Sequence, residues 1–153
     1  EATQLNASLL RSIFEKDAYP EVLSDYEKEV DQSYPLYLAA GFVPGHSTDL
    51  DAVKWAEKFE VDTVLNLTNV DYVYDKNPKK HDDAQPIENL TWDKYGEIFG
   101  FEWEPGLNSP FDPVAAKEAK KAGLQVVILN GKGLENIQNY LEGDDFKGTV
   151  ICG

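Results

Sequence analysis

The 153-residue chain is 42% hydrophobic and 12% aromatic, enough for one sizeable core and about one domain. Its 28 acidic and 14 basic side chains give a formal net charge of −14. That balance argues against general binding of nucleic acid or anionic membrane, where basic patches supply most of the affinity. A phosphate-bearing ligand would need backbone N–H groups, hydroxyls, metal or cations from elsewhere. The single cysteine, Cys152, excludes an internal disulfide and fits a reducing compartment, the cytoplasm. No apolar run approaches the roughly 18–20 residues that a membrane span needs.

In chain order, EATQLNASLLRSIFEK sets Leu5, Leu9 and Ile13, with Leu10 and Phe14, at helical spacing. No capping segment precedes it, and a helix at residue 1 leads us to expect further sequence upstream. PLYLAA (35–40) reads as a short strand. STDLDAVKWAEKFE reads as a helix with Ser47 or Thr48 as N-cap and Leu50, Val53 and Phe59 inward. VDTVLNL (61–67) reads as a continuous buried strand. Residues 70–90, with Pro78 and Pro86, read as a hairpin or irregular excursion. TWDKYGEIFG is a short helix capped by Thr91. FDPVAAKEAKKAG has Asp112 as cap, Pro113 at the first helical position and Gly123 past the end. LQVVILN is another buried strand, GLENIQNYLEG a helix and GTVI a last strand. This alternation predicts an α/β fold, one domain over residues 1–153, with parallel pairing and helices on both faces.

Ligands of such sheets bind beyond the C-terminal strand ends, which singles out three junctions. In AAGFVPGHSTDLDAV, Gly41 and Gly45 let the backbone approach closely, and Ser47 and Thr48 offer hydroxyls at a helix N-terminus. An anion site and a plain N-cap after a turn both remain open there. In NLTNVDYVYDKNP, Thr68 and Asn69 leave a strand, Tyr74 is placed to stack on a base and Asn77 to reach its edge. On these residues alone, a hairpin with ordinary tyrosine packing is the favoured reading. In PGLNSPFDPVAAK, Asp112 reads first as a cap and second as a magnesium neighbour. His46 and His81 form no metal site with their sequence neighbours, and no familiar zinc, phosphate-loop or nucleophile-elbow pattern occurs.

Taken together, GFVPGHSTDLDAV, NLTNVDYVYDKNPKKHDDAQPIENLTWDKY, PFDPVAAKEAK and LEGDDFKGTVI resemble the uridylate (UMP) kinases of the amino acid kinase superfamily, in their archaeal form. The resemblance runs from Thr3 to Ile151 and covers the later two-thirds of a family member. It implies a three-layer αβα sandwich with a mainly parallel sheet, transfer of phosphate from ATP to UMP in pyrimidine nucleotide synthesis, Mg2+ accompanying the ATP, and a hexamer built from dimers. By the same resemblance Phe42, Val43, Pro44, Gly45, His46, Ser47 and Thr48 hold UMP, with Thr48 at its phosphate. Thr68, Asn69, Tyr74 and Asn77 bind ATP, the last two near adenine, and Asp112 is a catalytic acid near the transferred phosphate.

The chain departs from the family pattern at Gln4 (usually arginine), Ala40 (a Gly-Gly pair), Tyr72 (glycine) and Asn77 (aspartate). Glycine at position 72 would suit backbone angles that other residues resist, so Tyr72 bears on the local conformation. The resemblance also implies that a phosphate-cradling lysine and a glycine-rich turn belong before Glu1. Neither Phe42–Thr48 nor Thr68–Tyr74 contains a lysine or arginine, which leaves Lys132 as the nearby cation. The expectation is that this chain alone lacks turnover. The alternative reading is a nucleotide-binding or regulatory module of the same fold.

Overall fold

The computed structural model describes residues 2–41, 45–103 and 109–153. The chain divides into two compact units, Glu1–Val61 and Asp62–Gly153. Among the described residues no helix is long and apolar enough to cross a membrane.

The first unit opens with α1 (Ala2–Ile13), whose only buried residue is Ala7. Its apolar side chains face out: Leu5 is 72% exposed, Leu9 62% and Ile13 64%. PLYLAA, expected as a strand, makes only isolated parallel bridges, Ala18 to Leu36 and Leu23 to Ala39. The two bridges are five residues apart on one side and three on the other, so no continuous ladder can run between them. Helix α2 (Thr48–Lys58) follows, with Leu50, Val53, Trp55 and Ala56 buried. A chain of ring contacts knits the unit: Tyr19 to Tyr37 at 5.7 Å, Tyr37 to Phe59 at 4.7 Å, Phe59 to Trp55 at 5.8 Å and Trp55 to Tyr26 at 6.1 Å between centroids. Such pairs contribute about 0.5–1.5 kcal/mol each beyond area burial.

The second unit carries β1 (Thr63–Thr68), β2 (Val73–Tyr74), β3 (Pro86–Ile87), β4 (Asn89–Thr91), α3 (Trp92–Phe99), α4 (Pro113–Ala122), β5 (Gln125–Asn130), α5 (Leu134–Glu142) and β6 (Thr149–Cys152). Its sheet has the order β1-β5-β6-β4, while β2 and β3 form a separate antiparallel hairpin. The α4 caps fall as the sequence reads: Asp112 accepts from the Ala115 N–H, Pro113 starts the helix and Gly123 ends it in the left-handed region. Ala115, Ala116 and Ala119 are fully buried; small residues there permit close packing.

Two expectations change. β1 and β5 pair in parallel, as do β4 and β6, but β5 and β6 are antiparallel. The cause is a clamp after α5. Lys147 N–H donates to Asn136 Oδ1 at 2.7 Å, and Asn136 Nδ2 donates to the Lys147 carbonyl at 2.8 Å. Asn136 sits in the first turn of α5, so residues 144–147 run back to the helix start and deliver β6 to the C-terminal end of β5. The second change concerns β1, expected to be continuously buried. Only Val64 is buried in it, and Leu67 is 51% exposed. β1 is the edge of this sheet among the described residues, whereas Val126, Val127, Ile128 and Leu129 in the interior strand β5 are fully buried.

Candidate nucleotide sites

A cavity of about 280 Å3 opens past the C-terminal end of β1. Thr68, Asn69, Tyr74 and Asn77, all expected to share a ligand, line it together. Its frame is made by distant residues. The Gly131 N–H donates to the Thr68 carbonyl at 2.8 Å. A Cβ at Gly131 would lie 3.3 Å from that of Leu67, so glycine eases this close approach. Asn130 Nδ2 donates to Asp71 Oδ1 at 2.7 Å, and Asn130 Oδ1 accepts from the Lys132 N–H at 3.1 Å. The loop past β1 is therefore tied to the end of β5.

The hairpin supplies more of the lining. Asp75 and Gln85 close its loop, with the Asp75 N–H donating to the Gln85 carbonyl at 3.1 Å and the Gln85 N–H to Asp75 Oδ1 at 2.8 Å. Asn77 Oδ1 accepts from the Lys79 N–H at 2.9 Å, which leaves one lone pair of that oxygen and the amide N–H2 for a ligand. Phe99, Ser109 and Pro110 also line the cavity. Ser109 Oγ and the buried Tyr95 hydroxyl both donate to the Phe111 carbonyl, at 2.5 and 2.7 Å.

Two lining residues were not legible as such. Lys76 lies on the cavity wall and pairs with Asp83, Nζ to Oδ2 2.6 Å. The expectation that Lys132 was the nearby cation is thus corrected: Lys76 lines the cavity, and Lys132 does not. Lys76 lies past the end of β2, between Tyr74 and Asn77 in the sequence. Tyr72 also lines the cavity. Among the described residues Glu60 is the non-glycine with positive φ, so position 72 has no left-handed backbone that glycine alone would favour.

The stretch expected to hold UMP is only partly visible, because Phe42, Val43 and Pro44 lie outside the described residues. Gly45 has φ +94°. His46 Nδ1 stands 3.9 Å from Asp51 Oδ1. Ser47, not Thr48, is the N-cap: its Oγ accepts from the Leu50 N–H at 3.2 Å. Thr48 begins α2 and lines a hollow of about 170 Å3 together with Thr3, Ala40, Gly41, Asp51 and Trp55. Asp112 caps α4 and is not in the lining of the cavity beyond β1. Among the described residues no group of three or more His, Cys, Asp or Glu side chains is placed to hold a metal ion.

Comparison with known proteins bears on the family and the fold. The model of the amino acid kinase family matches residues 2–130. A uridylate kinase of Methanobrevibacter smithii is 34% identical over 154 residues, covering 99% of this chain and 68% of that protein. The crystal structure of uridylate kinase from Archaeoglobus fulgidus superposes with TM-score 0.82 at 33% identity, covering 99% of this chain and 68% of that one. A UMP kinase structure from Ureaplasma parvum, 22% identical, shares the fold with TM-score 0.71 over 99% of this chain and 68% of its own. The chain thus spans about two-thirds of the length of these relatives, and it belongs to the amino acid kinase family, among its uridylate kinases.

Proposed function

We propose that this chain carries the nucleotide-binding part of a UMP kinase, which transfers the γ-phosphoryl group of ATP to UMP and yields ADP and UDP. The observation that carries this reading is the cavity beyond β1, which gathers Thr68, Asn69, Tyr74 and Asn77 around one space. Strand ends of α/β sheets are where such ligands bind. Tyr74, and Tyr72 with it, offers a ring for the purine, Asn77 its amide for the base edge, and Lys76 a cation toward the phosphates. UMP belongs at Phe42–Thr48, its phosphate at Thr48. Asp112 bears on the reaction by way of the α4 N-terminus that it caps. The described residues do not form a metal site of their own, so Mg2+ enters this proposal only as the companion of ATP. The reaction belongs to pyrimidine nucleotide synthesis in the cytoplasm.

The 153 residues alone are expected to be without measurable turnover. Phosphoryl transfer depends mostly on positioning and on neutralising developing charge. Among the described residues of the lining Lys76 is the one cation, and Asp83 already pairs it. A coupled ADP-release assay with ATP, UMP and Mg2+ tests this, run on the chain alone and fused to the unmatched third of the Methanobrevibacter relative. No turnover alone and a kinase-like rate of about 1–100 per second in the fusion are expected. Turnover by the chain alone would overturn the predicted inactivity. A silent fusion that still binds ATP favours the regulatory module instead.

The same reading includes self-assembly. Leu5, Leu9 and Ile13 form an exposed apolar row on α1, and exposed rows of this kind mark contact surfaces. A second copy is the occupant proposed for it. Leu9→Glu should lower the mass seen by light scattering, and an unchanged mass would remove α1 from the interface.

A further inference from the structure

The residue that holds the hairpin wall most directly lies outside the cavity. Thr149 opens β6, is fully buried and is absent from the lining. Its Oγ1 accepts the Val73 N–H at 2.8 Å and donates to the Ile87 carbonyl at 2.5 Å. Val73 and Ile87 are register partners in the hairpin. One hydroxyl therefore sits between the two strands and ties both to the main sheet. The next residue extends the attachment through backbone, as the Val150 N–H donates to the Glu88 carbonyl at 2.8 Å. A hydroxyl suits this place because it is donor and acceptor at once; valine has nearly the same shape and neither capacity.

Val73 is itself buried and lines the cavity together with its neighbours Tyr72 and Tyr74. The backbone held at Val73 thus sets where the two rings stand. We propose that Thr149 is a positioning residue for the adenine nucleotide, a role that rests on the ATP reading above. It touches no ligand and acts by fixing the hairpin from which Tyr72 and Tyr74 project.

The test uses the full 153-residue chain and calorimetric titration with Mg2+-ATP and, separately, with UMP. Thr149→Val is expected to weaken ATP about tenfold, which corresponds to about 1.4 kcal/mol, with UMP affinity unchanged. Thr149→Ser, which keeps the hydroxyl, should bind both nucleotides as the parent does. Amide exchange at Val73 should accelerate in the valine variant and not in the serine one. Equal ATP affinity in parent and valine variant would overturn the proposal, as would a parallel loss of ATP and UMP, the mark of a merely structural role. A parent chain that binds no ATP sinks the ATP reading itself, and this proposal with it. Should the valine variant not fold, Thr149→Cys against Thr149→Ser decides. The weaker thiol hydrogen bonds should cost ATP affinity selectively, and equal affinities would reject the role.

Discussion

In the cavity beyond β1 the framing hydrogen bonds span 59 residues from Asn130 to Asp71 and 76 from Thr149 to Val73. The bond that shapes the start of α2 spans three, from Ser47 to Leu50. A capping bond of the second kind is available to any helix with a serine in that place. Bonds of the first kind exist only once the sheet of the second unit has formed. The cavity is therefore open to damage from residues that never face it, while the start of α2 answers mainly to its own side chains. Its first turn also carries Asp49 and Asp51, carboxylates that the positive end of the helix dipole stabilises.

The largest expected effect breaks the cavity from below. Ile128 is fully buried, pairs in register with Asn66 of β1 and also with Thr149 of β6. Ile128→Ala should lower stability by about 2–5 kcal/mol and abolish ATP binding near the melting temperature. Leu67→Ala, at a side chain 51% exposed, should cost below about 1 kcal/mol. Urea denaturation of the two variants checks the pair. Similar costs would mean that β1 is as enclosed as β5, against the structure.

That contrast also shows what the sequence could tell. VDTVLNL and LQVVILN read alike, because an apolar run identifies a strand but not its place in the sheet. Edge or interior is decided by what pairs on the far side. The direction of β6 was hidden for a similar reason: the alternation of strand and helix implied parallel pairing, and the Asn136–Lys147 clamp reversed it. Local chemistry was far more readable. Thr91 and Asp112 cap their helices, and Pro113 and Gly123 punctuate α4, since each acts within a few residues. The gathering of Thr68, Asn69, Tyr74 and Asn77 was legible through family resemblance. Lys76 was passed over, because a lysine among acids reads as a solvated surface residue. Thr149 showed no sign at all, its partners being remote in sequence.

The next effect probes the α2 side. If Thr48 meets the UMP phosphate, Thr48→Val removes a charge-assisted hydrogen bond worth about 1.5–3 kcal/mol. UMP should weaken by that amount and uridine hardly at all, with ATP unchanged. Calorimetry with the three ligands is the check, and equal losses for UMP and uridine would reject the assignment. Tyr74→Ala is the matching change in the cavity. Stacking on one base is worth about 1–3 kcal/mol, and Tyr72 remains to share it, so we expect the lower end. ATP and adenosine should weaken together, and UMP should not respond. A response of UMP to Tyr74→Ala would show that the two regions are coupled.

The smallest effect concerns charge at the cavity mouth. Lys76 pairs with Asp83, whose side chain is 76% exposed, and exposed pairs of this sort contribute about 0–1 kcal/mol to stability. Asp83→Asn should therefore leave the melting temperature nearly unchanged. It does remove a negative charge beside the only basic side chain in the described lining and frees that lysine for an incoming phosphate. In a chain of net charge −14, ATP should bind about two- to threefold more tightly, which is well under 1 kcal/mol. Adenosine, without phosphates, should show no gain. Lys76→Gln should do the reverse to ATP. Because the Debye length is about 8 Å at 0.15 M salt and about 3 Å at 1 M, both effects should shrink as salt is raised, whereas the Tyr74→Ala loss should persist. A gain for adenosine equal to that for ATP would mean that Asp83→Asn reshapes the hairpin loop, and Lys76 would then have no claim on the phosphates.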